Sequence, residues 1–112
     1  MNDRTKKFEA EFIKRAKAVG IERTAAAQFD AATYDIVLMY ANAMKAAKVT
    51  GDPAKLAAER TAIRDELRKM KDFPALEGPI SFGTNGDALK PAYVIEMQGS
   101  KWTLLANYPV GN

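Results

Sequence analysis

The segment from Ala31 to Lys48 restricts the fold more than any other part of this chain, because it is apolar on nearly every side. At helical spacing, Tyr34, Val37, Leu38, Ala41 and Met44 form one face, and Ile36, Met39, Tyr40 and Ala43 form the opposite one. A helix with this pattern needs neighbours on several sides. The whole chain has 112 residues, which suits one domain and leaves little room for two. A chain of this size buries only about two-thirds of the surface its unfolded form exposes. Three helices and a small sheet can hardly sheathe such a helix. The sequence therefore predicts that the segment is covered by further polypeptide, either missing parts of a larger fold or another copy of the chain.

The flanking segments are more conventional. Asp3 to Val19 reads as an amphipathic helix with Phe8, Phe12, Ala16 and Val19 on one face, Ile13 beside them, and Gly20 in position for a left-handed C-terminal cap. The plain interpretation of that face is core packing. Ile21 to Gln28 is a connector, and Asp30 is a plausible N-cap for the apolar helix. Gly51-Asp52-Pro53 closes one helix and opens the next, which runs to about Lys71. That third helix carries a narrow stripe of Leu56, Ile63, Leu67 and Met70 on a charged cylinder, with Asp65 and Lys69 spaced to pair. Phe73 to Gly78 breaks the helix and leads to a sheet. Ile80-Ser81-Phe82, Ala92 to Met97 and Trp102 to Ala106 read as three strands, joined by turns at Thr84-Asn85-Gly86-Asp87 and Gln98-Gly99-Ser100-Lys101. The expected fold class is α+β, three helices followed by a small antiparallel sheet in a single domain over residues 1–112.

Composition and motifs argue against chemistry. The chain contains no Cys and no His, which removes thiolate nucleophiles, the commonest general base and the commonest metal ligand. Its only serines are Ser81 and Ser100, in a strand and a turn. Pairs such as Glu9/Glu11 and Asp65/Glu66 are not at helix-face spacing, and the glycines of Gly83-Thr84-Asn85-Gly86 form no phosphate loop. No enzyme activity, metal or cofactor is expected. The net charge of +3 is interspersed in sign, unlike the patch or stripe of a nucleic-acid binder, so no nucleic-acid partner is expected. No apolar run reaches the length of a membrane span, and the charged start at Met1 to Lys7 is no secretory signal. Tyr34-Asp35 has two interpretations. In one the ring packs and the acid favours the helix dipole in the first turn. In the other the pair borders a ligand cleft.

The order of these motifs resembles the tail of one family, the type I periplasmic ligand-binding proteins of ABC transporters, in their branched-chain amino-acid branch. The resemblance rests on Phe8-Glu9-Ala10-Glu11-Phe12, Ala31-Ala32-Thr33-Tyr34-Asp35-Ile36-Val37 and Asp52-Pro53-Ala54-Lys55-Leu56. It continues with Gly78-Pro79-Ile80-Ser81-Phe82, Asn85-Gly86-Asp87, Lys90-Pro91-Ala92-Tyr93-Val94 and Gly99-Ser100-Lys101-Trp102. Each motif is weak alone; their order and spacing make the signal. The family is considerably longer, with two α/β lobes around a cleft, and the chain is similar only to its last third.

The resemblance implies a partial type I periplasmic-binding-protein fold and a periplasmic location. In the whole family the partners are an amino acid or related small carboxylate and a membrane permease. It also implies a chain without an intact ligand site, since the first-lobe hydroxyls and amides that hold a carboxylate have no counterpart. Gln28 and Phe29 are the nearest candidates for a ligand-cleft rim, and self-association into a homo-oligomer is expected from severed faces. The rival interpretation is a free-standing interaction module whose basic third helix binds an acidic partner. A weaker third is a ligand site assembled between two copies.

Overall fold

Three helices come first in the computed structural model, which describes residues 2–109. Helix α1 spans Asp3–Ala18, α2 spans Gln28–Ala46, and α3 spans Leu56–Lys69 after a single 3-10 turn at Pro53–Lys55. Five strands follow: β1 (Phe73–Ala75), β2 (Gly78–Phe82), β3 (Ala88–Leu89), β4 (Ala92–Gln98) and β5 (Lys101–Tyr108). They form two antiparallel sheets, β1-β2-β3 and the hairpin β4-β5, where the sequence had suggested one sheet of three strands. The extra strands are β1, in the segment read as a helix breaker, and β3, just after the turn at Thr84-Asn85-Gly86-Asp87. Pro74 lies in an edge strand, where its missing N–H costs no ladder bond. Asp72 adopts a left-handed φ of 48° in the short link between α3 and β1.

The helix ends follow from local chemistry. Asn2 caps α1 by accepting the Thr5 N–H at 2.8 Å. At its other end, Ile21 N donates to Ala16 O at 2.9 Å and Gly20 N to Lys17 O at 3.1 Å, a Schellman closure that needs Gly20 at its φ of 77°. Helix α2 begins earlier than Asp30 suggested: Ala27 is the N-cap residue, and Asp30, three residues on, reaches back to accept the Ala27 N–H at 2.8 Å. Its C-terminus also differs from expectation. Val49 N donates to Met44 O and Lys48 N to Lys45 O, so Lys48 takes the left-handed position (φ 52°) and Gly51 lies beyond the cap. Asp52 does cap the following turn, accepting Ala54 N–H at 2.9 Å.

The core is sparse. Along α2 the buried residues are Ala31, Asp35, Met39 and Ala43, a single line at steps of four. Ala16, Met70, Ala75 and Leu76 complete the buried set, and no large side chain among the described residues is fully enclosed. Ile36, Val37, Tyr40 and Met44 on the same helix remain 42–61% exposed. The chain exposes 8655 Å², against about 6,100 Å² for a folded monomer of its mass. Its radius of gyration is 17.3 Å, against about 13 Å for a compact domain of similar length. The molecule is a slab with extents of 57 × 42 × 20 Å, with only enough depth for two packed layers. The lack of cover over α2 is therefore a property of the structure as well as of its sequence pattern. No helix among the described residues is long and apolar enough to cross a membrane.

Candidate functional site

Two open grooves flank α2. The first lies between α1 and the N-terminal half of α2, with a volume of about 850 Å³. Phe8, Phe12 and Tyr34 floor it, the Phe8 ring 5.0 Å from Tyr34 and 6.0 Å from Phe12 between centroids. Arg23 sits 5.3 Å over the Phe12 ring and pairs with Asp30 at 2.5 Å. Arg15, bonded at 2.8 Å, and then Lys14 hold the Glu11 carboxyl below the usual carboxylate range. Arg15 and Arg23 are thus matched by Glu11 and Asp30, while Arg4 and Lys7 leave the lining with an excess of positive charge. The second groove, about 580 Å³, lies between α2 and α3 and is lined by Met39, Tyr40, Ile63, Leu67 and Phe82, with Arg60, Arg64 and Arg68 along one side.

Gln28 and Phe29 are the first two residues of α2, and both side chains are exposed, Phe29 at 82%. Neither lines a groove; their neighbour Asp30 does. The Phe29 carbonyl accepts the Thr33 hydroxyl at 2.7 Å. The structure does not bring these two residues together with other polar groups. On α3, the expected Asp65–Lys69 pair is replaced by Lys69–Glu66 at 2.8 Å and Arg64–Asp65 at 2.7 Å. The basic side of that helix is therefore partly neutralised by its own acids.

The most constrained polar cluster is one that sequence reasoning misread. Asp35 is not in the first turn of α2. It lies in the third, is 2% exposed, and is the one buried charged residue among those described. One carboxylate oxygen accepts the Leu76 N–H at 2.9 Å, while Oδ1 has no partner. Burial pushes its carboxyl above the usual range, the Leu76 N–H and the Arg4 charge oppose that push, and Glu77 adds to it. The same turn is held from two other sides. Arg4 donates to Pro74 O, Thr5 Oγ1 donates to Leu76 O at 3.2 Å, and Tyr93 Oη donates to Glu77 O at 2.6 Å. Side chains from α1, α2 and β4 thus fix the β1–β2 turn. The signal for this role was present in the sequence: Asp35 occupies a step-of-four line otherwise made of Ala31, Met39 and Ala43.

This cluster orders the backbone of the β1–β2 turn. Ser81 Oγ accepts the Asp72 N–H at 2.9 Å and donates to Asp72 Oδ1 at 3.4 Å, a local brace at the start of β1. No group of three acidic residues able to hold a metal ion occurs among the described residues.

Comparison with known proteins fits this arrangement. A family model described as periplasmic binding protein matches residues 1–101. Among solved structures, the chain resembles the leucine-binding protein LivK of Thermotoga maritima MSB8, with a TM-score of 0.66 and 25% identity over 97% of this chain. The chain spans 27% of the length of that protein. No curated protein sequence matches it. The helices, the two small sheets and the order of their motifs have one common account: the chain belongs to the periplasmic binding protein family.

Proposed function

We propose that this chain serves as the tail segment, folded as one unit over residues 1–112, of a substrate-binding protein for amino acids or related small carboxylates in an ABC importer. Its own residues hold no complete ligand site. The observation that carries this reading is the family match over residues 1–101 together with surface about 2,500 Å² in excess of a compact monomer. The similarity to a leucine-binding protein favours the branched-chain amino-acid branch. Such a protein works by hinge closure of two lobes around solute, followed by docking on a membrane permease, and in this reading it acts in the periplasm and performs no catalysis. Gln28 and Phe29 stand at the rim of the cleft once the remaining lobes are in place, which accounts for a phenylalanine left almost wholly in water at a helix start. The alternative, a basic third helix that binds an acidic partner, rests on Arg60 and Arg68 beside the second groove, since Arg64 and Lys69 are taken up by Asp65 and Glu66.

A chimera tests this. The present chain replaces the matching segment of the Thermotoga leucine-binding protein, and leucine, isoleucine and valine are titrated calorimetrically. The chimera is expected to bind at least one of them, with affinity reduced several-fold by Phe29→Ala, while the chain alone shows no thermal shift with any. Stoichiometric binding by the chain alone, or a folded chimera indifferent to every amino acid tried, would overturn the reading.

A further inference from the structure

We propose that Asn85 is a self-modification site, at which the backbone nitrogen of Gly86 converts the side-chain amide to a carboxylate without an enzyme. Asn85 and Gly86 lie at the exposed tip of the β2–β3 turn. The Asn85 Oδ1 accepts the Asp87 N–H at 3.3 Å, a closure that bends the side chain back over the peptide nitrogen between them. The electrophilic carbon, Cγ, is thereby kept beside the Gly86 nitrogen, the pre-arrangement that an intramolecular attack needs. Gly86 has no side chain to obstruct it, and nothing lies within 4 Å of where a Cβ would stand. The other asparagines that precede a residue are held differently. Asn2 caps α1 and is followed by Asp3. Asn42 lies inside α2 before Ala43, which is 1% exposed. Asn107 is paired opposite Tyr93 and is followed by the bulky Tyr108.

The step needs only water as co-reactant. The Gly86 nitrogen gives its proton to water or hydroxide and bonds to Cγ of Asn85. The Cγ–Nδ2 bond breaks, and Nδ2 takes a proton from water and leaves as ammonia. Hydrolysis of the cyclic imide at one or other carbonyl leaves an aspartyl or isoaspartyl residue at position 85. One contact opposes the attack: Gly86 N–H donates to Gly83 O at 3.0 Å. Opening a single exposed hydrogen bond slows the reaction by roughly tenfold. The product alters its surroundings. Asn85 Nδ2 donates to the Asp87 carboxylate, so after conversion carboxylate faces carboxylate and this brace across the turn is lost. Isoaspartate also lengthens the backbone of the turn that sets Ser81 opposite Leu89 and Phe82 opposite Ala88. Gly86 lines the same groove as Arg60, Arg64 and Arg68, so the new negative charge arises at the basic edge of that groove.

The full chain and a synthetic peptide of residues 80–90 are incubated side by side at neutral pH and physiological temperature. Conversion at each asparagine is followed by peptide mapping, which separates aspartyl from isoaspartyl products, and hydroxylamine cleavage between residues 85 and 86 reports the imide. The chain is expected to convert at Asn85 before any other asparagine, within roughly tenfold of the peptide's rate. The rate rises roughly tenfold per pH unit, because the deprotonated nitrogen is the nucleophile. Gly86→Ala slows conversion at least about tenfold by crowding the attack. Asn85→Gln, whose longer side chain must close a larger ring, leaves the turn's glycine in place and produces no cleavage by hydroxylamine. An Asn85 that stays intact while the peptide is fully converted overturns the proposal. So does a peptide that stays intact, another asparagine that reacts first, or a Gly86→Ala chain that converts at the parent rate. Solute binding by the chimera is a separate readout, so either result can fail without the other.

Discussion

Replacing Asp35 tests the account of the polar cluster most directly. In Asp35→Ala, Leu76, only 3% exposed, loses the acceptor for its N–H, which it now reaches at 2.9 Å. A hydrogen bond to a charged group contributes about 1.5–3 kcal/mol, and the orphaned donor costs about 1–3 kcal/mol. Against this, the substitution removes a buried charge whose Oδ1 has no partner, an offset of the same order. The net expectation is a loss of about 2 kcal/mol. Asp35→Asn keeps a carbonyl for the Leu76 N–H and exchanges an orphan acceptor for an orphan donor, so its cost should stay within about 1 kcal/mol at neutral pH.

The pH dependence separates charge from shape. The Asp35 carboxyl is raised in the folded protein, so the native state binds its proton more tightly than the unfolded chain does. Its contribution to stability is fully present below the unfolded value and is lost as pH rises through the folded one. Urea unfolding followed by circular dichroism, run in parallel on wild type and Asp35→Asn, should show wild type gaining on the variant as pH falls from neutral toward the unfolded carboxylate value. A difference that stays flat across that range, or grows in the opposite sense, would refute the assignment of Asp35 as a desolvated carboxylate. So would an Asp35→Ala variant as stable as wild type.

Gly78 has a φ of 127°, and an added Cβ would meet Pro91 Cγ at 3.1 Å; Gly78→Ala should cost about 1–3 kcal/mol in the same urea assay. Lys48 holds a left-handed conformation (φ 52°) at the end of α2, so Lys48→Gly should raise stability by up to about 1 kcal/mol, read as an increase in midpoint at constant slope. The Glu59 carboxylate accepts the Thr50 hydroxyl at 2.6 Å and the Thr50 N–H at 2.7 Å, bonds that lower its pKa, the hydroxyl most. Stability from Glu59 is present above the unfolded carboxylate value and lost as pH falls through the folded one, so Glu59→Gln should make acid unfolding less steep than in wild type.

Most of the helical layout was legible because its signals are local. The closure at Gly20, the cap at Asp52 and the periodicity of Phe8, Phe12 and Ala16 each lie within one or two turns of chain. Errors arose where a long-range partner decides. Asp35 seemed a first-turn acid because nothing within a few residues announces Leu76, which is 41 positions away. Phe73–Ala75 seemed only a helix breaker, since its strand character depends on register with β2, Phe73 opposite Ile80. Lys48 was passed over for Gly51 because side-chain preference favours glycine at a left-handed cap, yet the carbonyls of Met44 and Lys45 set the position. Of the site, the uncovered α2 was visible as an all-round apolar helix. Gln28 and Phe29 came only from the family resemblance, and no local contact marks them out.

The junction between the sheets has a dynamic consequence. The hairpin meets the rest of the molecule where Pro91 and Tyr93 crowd Gly78 and the Tyr93 hydroxyl bonds Glu77. The hairpin should open as its own cooperative unit, with amides that exchange with solvent at a low, shared free energy. The amides of Met39 and Ala43, in the middle of α2, should report the opening of the helical layer instead, so deuterium uptake would divide the protein at the Pro91–Tyr93 junction.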